Sequence, residues 1–339
     1  MMKSGEKKKT IFIRIIFMTA FVSIMWFAGR LLCLKTIHGS SQCVAMYAQP
    51  RDTIDVVMMG SSHMHCDVNP AILWEEYGIA AYDYSAAEQP MWLTYYYLKE
   101  FCKYQSPKVV VLDLYSPVKY GDSFDSAWIG ENLYNIRFSF NKLKMISTAC
   151  TAEQINSYFP SFFGYHWRYP DLGEDDFYVA THPDYYIDFK GFTPFYNVTA
   201  SKGPALGVLD AKRMPKRSEE YLNKIIEYTK DKGIELFLVV NPYPSTKEQE
   251  MVYNSIQDMA RKKGISYRNF NYDGEEMGLD YTSDYNDESH LNYDGSCKFT
   301  SFLGRTLKDS FEIPDRRGDN RYSSWEENAK RKGVFLTNE

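Results

Sequence analysis

From Thr53 to Phe311 the chain alternates short apolar runs with longer stretches in which apolar residues recur every three or four positions. The short runs suit strands buried on both faces, and the longer period suits helices with one buried side. Ile54–Met59 is the first run, and it ends in Gly60-Ser61-Ser62-His63. A short helix is expected near Pro70–Tyr77, with proline early, where a missing N–H costs little. Ala81–Tyr84 follows as a strand, Trp92–Lys103 as a helix and Val109–Leu114 as a third strand. Further on, Arg217–Lys232 places Tyr221, Leu222, Ile225, Ile226 and Thr229 on one helical face and stops at Gly233. Ile234–Val240 is a strand, and Ser245-Thr246-Lys247-Glu248 reads as a capping box opening a helix that ends at Gly264. Ile265–Phe270 is the last strand. Strands alternating with helices predict an α/β fold with a parallel, doubly wound sheet.

Four regions break that rhythm. Lys3, Lys7, Lys8 and Lys9 precede an apolar stretch over residues 11–34, interrupted by Arg14 and closed by Arg30. About 20 apolar residues span a bilayer, and flanking arginines reach the headgroups. The expectation is an uncleaved transmembrane anchor, with a basic cytoplasmic N-terminus over residues 1–10 and everything after Lys35 extracytoplasmic. A cleavable signal peptide is the competing reading, but no small-x-small site follows the run. Residues 35–51 read as a polar linker, and residues 52–313 as the main domain. Within that domain, about 147–215 is rich in Tyr, Phe, Pro, Asp and Gly without a sustained helical period. It reads as an insertion packed over the carboxyl edge of the sheet, where α/β ligands bind. Residues 314–339 are highly charged and read as a peripheral tail.

Composition narrows the classes. A net charge of −5 gives no basic footprint, so nucleic acid is excluded as a partner. Aromatic residues reach 16%, with 28 Tyr and 21 Phe, and tyrosine's flat face and polar tip suit sugar-like ligands. Six cysteines stand at 33, 43, 66, 102, 150 and 297 without a Cys-x-x-Cys pair. They exclude a zinc ribbon or thioredoxin motif and read mostly as core or free thiols.

Two motifs carry chemistry. A serine on a tight strand-to-helix turn, as in Gly60-Ser61-Ser62, projects its hydroxyl from the sheet edge, and its own N–H helps form an oxyanion hole. Alone, Gly-Ser-Ser is an ordinary turn. Beyond the last strand stands Asp287-Glu288-Ser289-His290, whose spacing can set the carboxylate against the imidazole Nδ1. Both pieces follow strands of one parallel sheet and can meet at its edge. Together they resemble the SGNH/GDSL hydrolase superfamily, in which a Gly-x-Ser follows the first strand and an Asp-x-x-His lies near the C-terminus. The Gly-Ser-Ser-His form and the anchor look most like its membrane-tethered branch, which includes the D-alanyl-transfer protein of teichoic acid synthesis and the alginate O-acetylation proteins. The resemblance implies a flavodoxin-like parallel sheet with helices on both faces. It makes Ser62 the nucleophile, His290 the base and Asp287 its orienter, with no cofactor.

The family's other blocks are altered here. An oxyanion glycine after the second strand is replaced by Ser85-Ala86-Ala87-Glu88-Gln89, so a main-chain N–H of Ala86 or Ala87 is the expected donor. No Asn follows the third strand, and Asn241, after Val240, substitutes only if the fold brings it close. His63, Gln89 and Asn241 are expected to shape the substrate pocket, together with Tyr165, Trp167 and Arg168 of the insertion, which could hold a sugar ring or an anionic polymer. His63-Met64-His65 also resembles the metal-binding His-x-His of amidohydrolase barrels, and a metal-dependent hydrolase is therefore an alternative. The expected function is an extracytoplasmic O-acyltransferase or esterase acting on a cell-envelope polymer, beside a membrane-bound O-acyltransferase-type partner. A non-catalytic polymer-binding subunit is the alternative from another class.

Overall fold

The computed structural model describes residues 4–33, 35–121, 127–158, 165–182 and 189–332. Five parallel strands, β1 (Val56–Met59), β2 (Ala81–Asp83), β3 (Val109–Asp113), β4 (Glu235–Val240) and β5 (Ser266–Asn269), form one sheet in the order β2-β1-β3-β4-β5. This is the flavodoxin-type order, and its switch point lies between β1 and β3. Each expected strand is present, within one or two residues of its expected ends.

The helices used below are α1 (Ser4–Leu32), α2 (Ser40–Ala48), α3 (Ser62–Asp67), α4 (Pro70–Tyr77), α5 (Met91–Phe101), α6 (Lys216–Lys232), α7 (Lys247–Lys263), α8 (Tyr293–Ser310) and α9 (Ser323–Lys330). Alternate strand residues feed two cores. Val57, Met59, Val110, Leu112, Leu236 and Leu238 face α2, α5, α6 and α7. Val56, Met58, Val109, Val111, Phe237 and Val239 face the other side, where Leu73, Phe299, Leu303 and Leu307 cover them. Burial on both faces is why the strand sequences read as unbroken apolar runs. Each fully buried aliphatic side chain contributes roughly 1.5–3 kcal/mol.

α1 lies outside these cores. An 18-residue window within its Gly5–Leu32 stretch has a mean hydropathy of 2.1 and no buried residue, which makes the helix long and apolar enough for a single membrane span or a signal sequence.

Three expectations are corrected. The linker over 35–51 contains α2, which is buried: Gln42 Nε2 donates to the carbonyls of Ile37 and Gly191 at 2.8 and 2.9 Å. Over its described residues, 314–332, the charged tail is not peripheral. Trp325 in α9 is fully buried, donates Nε1 to the Ala81 carbonyl at 2.9 Å and lies under Lys190, while Arg316 forks onto Asp55 with two 2.7 Å bonds. The insertion divides. Helices at Ala152–Tyr158 and Glu174–Thr181 occur in its first part, while residues 189–191 turn and 192–201 run without regular secondary structure across the carboxyl edge. There Thr193 N–H donates to the His65 carbonyl at 2.6 Å and Thr199 N–H to the Tyr285 carbonyl at 2.8 Å. Gly191, at φ +90°, crosses so close to β2 that a Cβ would lie 2.1 Å from the Asp83 carbonyl oxygen. All six cysteines are free thiols.

Candidate active site

β1 ends at Gly60, whose φ of +144° lets the chain turn beside β3; a Cβ there would sit 2.9 Å from that of Asp113. The turn delivers Ser62 as the first residue of α3, so its N–H has no partner within the helix. Ser62 Oγ lies 2.8 Å from His290 Nε2. On the far side, His290 Nδ1 is 3.1 and 3.0 Å from the two carboxylate oxygens of Asp287. Asp287 Oδ1 also accepts the N–H groups of Ser289 and His290 at 2.8 and 3.0 Å. Burial pushes the Asp287 carboxyl up, but the His290 hydrogen bond and charge, with those two amides, outweigh it and hold the group well below the usual carboxylate range. The imidazole is thus positioned to accept the Ser62 proton at Nε2 while Nδ1–H donates to a permanent anion.

Neighbouring groups fix the loop that carries His290. Asn286 N–H donates to the His290 carbonyl at 2.9 Å, and Leu291 N–H donates to Asp67 Oδ1 at 3.0 Å. His63 Nε2–H donates to the Ser289 carbonyl at 3.0 Å, and the His63 ring stacks on His290 at 4.8 Å between centroids. Burial, then the charge of His290, holds the His63 imidazole neutral by lowering its pKa well below the usual value. Phe195 meets the same imidazole edge-on at 5.9 Å. Phe195 escaped the sequence reading; the one available signal was its place in an aromatic-rich insertion.

Other expected residues go elsewhere. Asn241 Nδ2 donates to the His63 carbonyl at 2.8 Å, so Asn241 positions α3 rather than facing a substrate oxygen. Ala86 is wholly buried, and the Ala87 N–H donates to the His38 carbonyl at 2.7 Å. Gln89 is buried and binds Asn132 and Thr94. Arg168 donates to the Leu32 and Cys33 carbonyls at 2.8 and 2.6 Å and pairs with Asp176, which ties it to the end of α1. Tyr165 is buried beside Gly29 and Tyr134 at that same end, and Trp167 lies exposed next to Arg168. His63 and His65 do not converge: His65 Nδ1 pairs with Ser85 Oγ at 2.8 Å, away from the Ser289 carbonyl that His63 binds.

The fold and site together define an α/β chain with a five-stranded parallel sheet and a Ser–His–Asp constellation at its switch point. No family model matches the chain, and no curated protein does.

Proposed function

We propose that the chain is a membrane-anchored, SGNH-type serine O-acyltransferase that works outside the cytoplasm on acyl esters of an envelope polymer, a teichoic acid or a polysaccharide. The observation that carries the proposal is the 2.8 Å approach of Ser62 Oγ to His290 Nε2, with Asp287 at 3.0 Å behind it. Position supports it too, because ligands of open α/β sheets bind beyond the strand ends at the switch point.

Ser62 Oγ attacks the acyl carbonyl carbon as its proton passes to His290 Nε2. The oxyanion meets the Ser62 N–H at the start of α3. Collapse breaks the donor's acyl bond, and the departing oxygen or sulfur takes the proton from His290. A polymer hydroxyl then attacks the Ser62 ester and gives its proton to His290; the Ser62 Oγ–acyl bond breaks, Ser62 Oγ takes that proton back, and the polymer leaves acylated. Holding that hydroxyl beside the acyl-enzyme raises its effective concentration over water. Lys7, Lys8 and Lys9 in the first turns of α1, with Lys3 ahead of it, argue for a cytoplasmic N-terminus. An anchored acyltransfer site suits a partner of the membrane-bound O-acyltransferase type that supplies the acyl group. One observation favours the second reading, a non-catalytic polymer-binding subunit: the Ala87 amide, a candidate oxyanion donor, is already committed to His38.

The test is to replace Ser62 by Ala in the cell and measure ester-linked acyl groups on envelope polymers. Loss of those esters is expected. Accumulation would make the protein a deacylase, and no change would remove the catalytic reading.

A further inference from the structure

We propose that His38, His65 and Cys66 form a three-ligand site for a zinc ion, which ties the segment following α1 to the helix that begins with Ser62. Potential ligand atoms of the three residues all lie within 4.8 Å of one another. His65 and Cys66 come from α3, and His38 from the turn before α2.

His65 provides the independent sign of a ligand. It is fully buried, its Nδ1 is 2.8 Å from Ser85 Oγ, and its Nε2 has no hydrogen-bond partner. A buried Nε2–H without an acceptor would be left unsatisfied, which is costly. With Nδ1–H donating to Ser85, Nε2 instead carries a bare lone pair, which is the arrangement of a metal-bound histidine with its outer partner in place. Asp67 Oδ2 and both side-chain oxygens of Asp83 are likewise buried without hydrogen-bond partners.

A thiolate and two imidazoles are zinc chemistry; calcium and magnesium require oxygen ligands. Binding breaks the Cys66 S–H bond, forms the sulfur–zinc bond and releases the proton to solvent. The fourth tetrahedral position is left to water. His38 is only partly buried and gives the ion an entry path. The site lies close to the triad, since the Phe195 ring is 6.0 Å from that of His38 and 5.9 Å from that of His290. Zinc there would hold α3, and with it Ser62, against the segment leaving the membrane helix. The proposal stands apart from the serine chemistry and survives if Ser62 proves unreactive.

The test uses the full chain in detergent, reduced and metal-stripped, titrated with Co2+ as a spectroscopic probe and then with Zn2+. Expected are one bound equivalent, a thiolate-to-cobalt absorption band, release of a proton and displacement by zinc. Cys66→Ser abolishes the band. His38→Ala, in a partly exposed segment that leaves the far-ultraviolet circular dichroism unchanged, weakens cobalt binding by about tenfold or more. No stoichiometric cobalt binding by the native chain, a band that persists in Cys66→Ser, or native affinity in His38→Ala would each overturn the site.

Discussion

Asp287→Asn separates orientation of the imidazole from everything else the loop does. Asp287 Oδ1 accepts two backbone amides at 2.8 and 3.0 Å, and Oδ2 lies 3.0 Å from His290 Nδ1. The asparagine carbonyl would keep the two amides, which places its NH2 where Oδ2 now faces Nδ1. An NH2 group only donates, so Nδ1 must accept and the ring proton moves to Nε2. Nε2–H then points at Ser62 Oγ, 2.8 Å away, and cannot take its proton. The same change in a Ser-His-Asp triad costs roughly 10^4 in kcat, about 5 kcal/mol of transition-state stabilisation. The Asp287 side chain is 44% exposed, so loss of its ion pair changes stability little. Hydrolysis of p-nitrophenyl acetate by purified protein provides the assay, with kcat expected to fall by about 10^3–10^4 while KM and the melting temperature hold. A native carboxyl held below its ordinary pKa stabilises the fold above that value, and the contribution is lost as pH falls below about 4. Asp287→Asn should lack that part of the acid loss. A fall of less than about tenfold in kcat in a folded variant would refute the orienting role.

Three other outcomes follow from the same structure. Trp325→Ala removes a fully buried ring and its 2.9 Å bond to the Ala81 carbonyl, and should cost about 3–5 kcal/mol in urea unfolding; a change below about 1 kcal/mol would return α9 to a peripheral role. Burial pushes the Asp113 carboxyl up to about 7, so the folded protein keeps a proton that the unfolded chain loses, and stability should decline as pH rises from about 4 to about 7. Asp113→Asn should flatten that decline, and an unchanged slope in pH-dependent urea melts would count against it. A reporter enzyme fused after Glu339 should be active outside the cytoplasm, and cytoplasmic activity would reverse the proposed orientation.

What the sequence disclosed follows from periodicity and from local spacing. The strands were legible because burial on both faces writes unbroken apolar runs, and Asp287 and His290 because three residues suffice to join a carboxylate to an imidazole. Ser62 and His290 could be paired across 228 positions only through the parallel sheet that brings both to one edge. Long-range polar pairing was not legible. α2 reads as a polar linker because Ser40, Ser41 and Gln42 bury hydrogen-bonding groups whose partners lie up to 151 residues away. Arg168 reads as a polymer-binding group, yet its guanidinium serves carbonyls at the end of α1. The helix cap shifts by one residue for a similar reason. Thr246 and Gln249 make the reciprocal bonds, while Ser245 is buried against Glu250 and Asn271. α9 deceived through its charges, which lie outside while Tyr322 and Trp325 anchor the segment within.

The most direct test of the central claim is the site at which a fluorophosphonate adds to the purified full-length protein in detergent, read by mass spectrometry of its peptides. A serine activated by His290 forms a covalent phosphonyl ester where an ordinary surface serine does not. The account predicts one adduct, on Ser62, absent from Ser62→Ala and strongly reduced in His290→Ala while the native circular dichroism persists. An unlabelled native protein, or an adduct on any other residue, would contradict it.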